Sequence, residues 1–152
     1  MWTVRPAGMP MAVDFDLERF VRAQDDGGTY RAAVAELRAG RKRSHWMWFV
    51  FPQVAGLGSS PAAQHFALSG LDEARAYLAH PVLGPRLVEA ARALTGLPGQ
   101  DPVAVLGSVD ALKLRSSMTL FARAAVGAEP AFAEVLDKYY AGAEDEATLS
   151  RL

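Results

Sequence analysis

Cysteine is missing from the chain altogether. That absence removes disulfides, thiolate zinc sites and cysteine nucleophiles from consideration, and it suits a protein of the cytoplasm. Charge of one sign is missing too: 16 Lys and Arg stand against 17 Asp and Glu, a formal net charge of −1. No global field favours a nucleic acid or an anionic membrane as partner, so electrostatic recognition has to be local. The longest strongly apolar run, Trp46 to Phe51, is far short of the roughly 20 residues that span a bilayer. The opening MWTVRPAGMPMAVD has no apolar stretch long enough for a signal peptide. Strand-like alternation is scarce as well. HWMWFVF has strand-like composition, but no second convincing strand exists to pair with it.

What is present is helical periodicity, in a chain of 152 residues that is long enough for one domain with its own core. Leu17, Phe20 and Val21 form one stripe, opened by Asp14 or Asp16 as N-cap. Thr29 can cap a second helix, with Tyr30, Val34 and Leu37 inward and Gly40 as its stop. Ser60-Pro61 reads as N-cap and first position of a short helix through Phe66. Leu71, Ala74 and Leu78 mark another, ended near His80 because a residue before proline avoids the helical region. The next starts near Gly84-Pro85, with Leu87, Ala91 and Leu94 inward, and the glycines and prolines of GLPGQDP (Gly96 to Pro102) mark a loop. Leu114, Met118, Phe121 and Ala125 give the clearest stripe, and Pro130 opens a last helix carrying Phe132, Val135, Leu136 and Tyr139. The expectation is an all-α, single compact domain of short helices over residues 14–152, with an irregular aromatic-rich core segment. Residues 1–13 read as a disordered lead, within which Met9 or Met11 could be the start.

Chemistry concentrates in GRKRSHWMWFVFPQ, Gly40 to Gln53, where three cations, a histidine and four aromatics share fourteen residues. With Ser44 as N-cap of a short helix beginning at His45, Arg41, Lys42 and Arg43 precede its positive dipole end. Cations are unfavourable there by roughly 0.3–1 kcal/mol each. Such a cluster makes sense if an anion sits between the cations and the free amides. A solvated basic loop whose stems cover the aromatics is the equal alternative. Trp46 and Trp48 diverge by about 200° on a regular helix, so one can pack inside while the other stacks on a planar ligand. Which does which is open.

DALKLRSSMTLF, Asp110 to Phe121, is the second constellation. Lys113 and Ser117 fall on one flank of its apolar stripe, and Arg115 falls on the other, about 160° from Lys113. Gln24 stands where the first helix should be apolar, so it points partly inward and must satisfy its amide. A capped backbone group and a ligand contact both fit it. GLGSSP (Gly56 to Pro61) resembles a phosphate cradle only superficially, since it lacks the P-loop ending. His45, His65 and His80 share no metal-ligand spacing, so no metal and no cofactor are expected. If there is catalysis, acid–base work would fall to Asp25, Asp110, His45 or a tyrosine, and spacing does not choose among them.

The strings LERFVRAQ, Y..AVAELRAGRKRSHWMWFVFPQVAGLG, LDEARAYLAHPVLGPRL and DALKLRSSMTLF resemble, from about Asp14 to Leu152, a bacterial family known as domain of unknown function 1810. The resemblance implies a mainly helical fold and no activity. The calpastatin label sometimes attached to that family does not suit a chain with a core, because inhibitor repeats of that type are disordered. RFVRAQ (Arg19 to Gln24), followed by a helical chain rich in Arg and Trp, is also similar to the NADAR or YbiA-like N-glycosidases. That likeness implies a hydrolase acting on ribosylated phosphates, with a carboxylate to steady an oxocarbenium-like centre.

Two functions follow from different classes. In the first, a small anionic ligand of nucleotide or sugar-phosphate type is bound by Gln24, Arg41, Lys42, Ser44, His45, Trp46, Trp48, Lys113, Arg115 and Ser117, and in the enzymatic form it is also hydrolysed. In the second, the same basic-aromatic patch is an epitope for a protein or a single-stranded nucleic acid, the balanced net charge weighing against nucleic acid.

Overall fold

Phe20 and Gln24 lie one turn apart on the inner face of the first helix, α1 (Glu18–Asp25). They begin the core of a computed structural model that describes residues 15–152. The expected lead and the cap at Asp14 lie outside these residues. Asp16 is not the cap either: Leu17 holds the N-cap position without a side-chain hydrogen bond. A 3-10 turn, Asp26–Gly28, then reverses the chain through two left-handed residues, Gly27 (φ 60°) and Gly28 (φ 71°), a geometry that glycine adopts without steric cost. The second helix, α2 (Thr29–Arg38), is therefore entered from Gly28, and the Thr29 hydroxyl donates to Asp26 O instead of capping.

Gly40 stops α2 as expected. It is left-handed at φ 78°, its amide donates to Leu37 O, and the Arg41 amide returns to Glu36 O, the two bonds of a Schellman motif. The aromatic segment is a single helical turn, α3 (Met47–Val50), entered from Trp46 and not from Ser44. Its continuation touches the chain again at one isolated parallel bridge, Val54 with Leu68. Ser60 caps α4 (Pro61–His65), accepting from Ala63 N at 3.1 Å. His80, extended ahead of Pro81, ends α5 (Leu71–Ala79). α6 (Leu83–Thr95) begins slightly before the expected start, and Pro85 is tolerated because amides of the first turn have no helical partner.

Two short helices were not expected. Asp101 accepts from Val103 N and opens α7 (Pro102–Leu106), which begins at the last residue of the stretch read as loop. α8 (Ser108–Ala125) and α9 (Ala131–Tyr140) follow, and Asp145 caps a final turn, α10 (Glu146–Leu149). α8 is the central element, with α5, α7, α9 and α10 packed around it. Leu114, Met118 and Phe121 are fully buried, and the Phe121 ring lies 5.3 Å from Tyr77 and 5.7 Å from Phe132. Burial extends around the whole helix from Ser116 to Phe121, wider than the stripe, because α8 has neighbours on every side. Thr119 adapts by donating back to Arg115 O at 2.8 Å. The described chain is one all-α domain with no strand, and no described helix is long and apolar enough to cross a membrane.

Candidate functional site

The basic loop already contains an anion. Glu36, on the last turn of α2, accepts from the Arg43 amide at 2.7 Å, the Ser44 amide at 3.0 Å, the Ser44 hydroxyl at 2.6 Å and the Trp46 indole N–H at 2.9 Å. Burial alone would raise its pKa. The donors from Ser44, Arg43 and Trp46 outweigh that and hold the carboxyl at about 2. Ser44 is thus a ligand of Glu36 and not a helix cap. The Arg43 and Ser44 amides, beside which the anion was expected, are taken by the protein itself. Nothing in the motif's own spacing named Glu36, but the Schellman reversal at Gly40 folds the loop back over the turn that carries it.

The two dense polar strings do meet. Lys42 Nζ lies 3.0 Å and Lys113 Nζ 3.1 Å from the carboxylate of Asp110, and Lys42 also donates to Ser44 O at 2.5 Å. Burial opposes the charged form of Asp110, but the two lysines bring its pKa below the usual carboxylate value, which leaves it poorly suited to proton transfer. Lys113 sits over the Trp48 ring at 3.7 Å and Lys42 over the Trp46 ring at 5.1 Å. Trp46 is the core tryptophan, fully buried, and Trp48 is the half-buried one. Arg41 and His45 are exposed. Arg115 points away, as its helical angle requires, and binds the carbonyls of Ala143 and Glu144. Ser117 is wholly buried, and its Oγ has no hydrogen-bond partner among the described residues.

Gln24 and Asp25 belong elsewhere, to a cleft of about 650 Å³ between α1, α2 and α6. Gln24 is 1% exposed and forms part of its floor. Its amide donates to Phe49 O at 2.8 Å and Tyr77 Oη at 3.2 Å, and its Oε1 accepts from Arg86 at 3.2 Å. The backbone-capping reading of this residue holds, through Phe49 O, and the same side chain lines the cavity. Arg86 also pairs with Asp25 at 2.8 Å and lies over the Tyr30 ring at 5.0 Å. Glu89 takes a short 2.5 Å hydrogen bond from the Tyr30 hydroxyl and pairs with Arg38 at 3.4 Å. Burial, then the bond to Glu89, pushes the Tyr30 pKa far above its usual value, so the phenol stays protonated.

Arg31 completes the wall, exposed and without an ion pair among the described residues. Sequence reasoning missed Tyr30, Arg31, Arg38, Arg86 and Glu89 as site residues. Arg31 and Arg38 are seven apart on one face of α2, a usable signal, but only folding brings Arg86 and Glu89 opposite them. None of four principal clefts includes Arg41, Lys42, Ser44 or His45.

Residues 14–152 match the family described as "Protein of unknown function (DUF1810)". The chain belongs to this family. It is 54% identical to the conserved hypothetical protein Rv1873 from Mycobacterium tuberculosis, known from a crystal structure. The likeness covers 91% of this chain and 96% of that one, with a TM-score of 0.87. No curated protein matches the chain. The similarity to NADAR-type N-glycosidases is not shown by these matches, so the DUF1810 fold is established here without an activity attached to it.

Proposed function

We propose that this DUF1810 protein binds a small anionic ligand, of nucleotide or sugar-phosphate type, in the cleft between α2 and α6. The observation that carries the reading is the convergence of Arg31, Arg38 and Arg86 on one cavity whose carboxylates, Asp25 and Glu89, leave a positive charge uncompensated. Guanidinium forks suit phosphate oxygens, and the two carboxylates can accept from sugar hydroxyls. Val34 and Ala35 supply apolar wall for a flat or aliphatic moiety. This moves the ligand from the Gly40–Gln53 loop, where Glu36 holds the Arg43 and Ser44 amides and Lys42 is paired with Asp110, to the cleft that Gln24 underlies. Hydrolysis of the ligand would fall to Asp25, a half-exposed carboxylate on the rim. A metabolite-binding role of this kind suits a cytoplasmic protein.

A thermal-shift screen with nucleotides, sugar phosphates and ADP-ribose tests the reading. A cognate ligand at ~100 times its dissociation constant stabilises the fold by ~2.7 kcal/mol. For a domain of this size the melting temperature then rises by roughly 5–10 °C. Arg31→Ala and Arg38→Ala should remove the rise and leave the unliganded melt nearly unchanged. Free phosphate should give a smaller rise that fades with added salt. A shift that survives both arginine substitutions but disappears in Lys113→Ala would return the site to the loop.

A further inference from the structure

Independently of the cleft, the α7–α8 corner displays aliphatic side chains that a solvated surface does not need. Val103 is 48% exposed, Val109 64% and Leu112 67%. Val109 and Leu112 are three apart on the first turns of α8, so they share a face, and Val103 lies on the short helix just before it. The basic loop is fastened to this corner. The Lys42 amide donates to Val105 O at 2.8 Å, and its Nζ pairs with Asp110, next to Val109. On either side of Lys42, Arg41 and Arg43 are exposed, and neither guanidinium has a partner among the described residues. Asp110 is shared by Lys42 and Lys113, which leaves that cluster one positive charge in excess before the two arginines are counted.

We infer that this corner is a docking surface for an acidic segment of another protein, one that carries aliphatic side chains among its carboxylates. Apolar side chains grouped beside unpaired cations mark an interaction site, and charge complementarity selects an acidic partner. Single-stranded nucleic acid fits less well, because it needs free ring faces. Here Trp46 is buried and Trp48 carries Lys113 on its ring. A membrane surface fits less well also: three aliphatic side chains at a corner are far from the long apolar stripe of an interfacial helix.

The test uses the full chain and a panel of fluorescently labelled peptides combining Glu or Asp with Leu or Ile, read by anisotropy. Matched peptides with Lys in place of the acids, an oligothymidylate and phosphatidylserine vesicles serve as comparisons. Acidic-aliphatic peptides should bind. Leu112→Ser and the pair Arg41→Glu, Arg43→Glu should each weaken them by about tenfold or more, with unchanged melting temperatures because these side chains are exposed. Arg38→Ala, in the cleft, should leave peptide affinity unchanged. Absence of binding across the panel, equal binding of the lysine peptides, or insensitivity to both surface changes overturns the inference. So does tighter binding of the oligonucleotide or the vesicles.

Discussion

Glu36 decides more about the basic loop than any of the three cations beside it. Two backbone amides, one hydroxyl and the buried Trp46 indole converge on its carboxylate, so removing it strands several donors at once. A buried donor left without its partner costs about 1–3 kcal/mol. Glu36→Ala strands the Trp46 indole in this way, so urea denaturation of that variant near neutrality should show a loss of that size. Glu36→Gln keeps Oε1 for the three N–H groups and turns its NH2 to the Ser44 hydroxyl, which can accept, but it removes the charge that strengthens all four bonds. The pH dependence has a definite sign. Glu36 is depressed from 4.5 to about 2, so its contribution is fully present above 4.5 and is lost as pH falls toward 2. The Gln variant should be less stable than wild type near neutrality and should lose less stability on acidification through that window. An acid limb unchanged by the substitution would show that the carboxylate is not held by these donors in solution.

At the scale of the element, the junction of α5 and α6 depends on a residue chosen for its size. A Cβ on Gly84 would overlap the Leu78 carbonyl oxygen, which is backbone and cannot move aside alone. Gly84→Ala should cost about 1–3 kcal/mol by overpacking. Gly99→Ala, where a Cβ meets nothing within 4 Å, provides the matched comparison and should change stability little. α8 presents the opposite problem, since it has to be filled on every side. Met118→Ala or Phe121→Ala should lower stability by about 2–5 kcal/mol in chemical denaturation, because each leaves a cavity in a fully buried layer. Similar costs at the exposed Leu112 would contradict the placement of this helix.

Across the whole molecule, Lys42 and Arg41 part company although they are neighbours in the chain. Lys42 joins the loop to α8 through Asp110, whereas Arg41 stays at the surface. Lys42→Ala should therefore destabilise the fold by about 1–3 kcal/mol and Arg41→Ala by no more than about 0.5 kcal/mol. A double-mutant cycle of Lys42→Ala with Asp110→Asn should return a coupling of about 0.5–3 kcal/mol. Additive losses would mean that the pair is not formed in solution. The amino-acid sequence alone determined the all-α character, the Gly40 stop, the Ser60 cap, the Leu114, Met118 and Phe121 positions in the core of α8, and the inner face of α9. Each depends on groups within one or two turns of one another, so local spacing is enough. The divergence of Lys113 from Arg115 was legible for the same reason. Which cations are free was not, nor which tryptophan is core, nor the location of the cleft. Those follow from pairings such as Gln24 with Arg86, 62 positions apart, and Lys42 with Asp110. A charge in the sequence shows its sign, but its partner is settled only when separate helices are packed against one another, and an anion supplied from within, as by Glu36, satisfies the same donors as a ligand from outside.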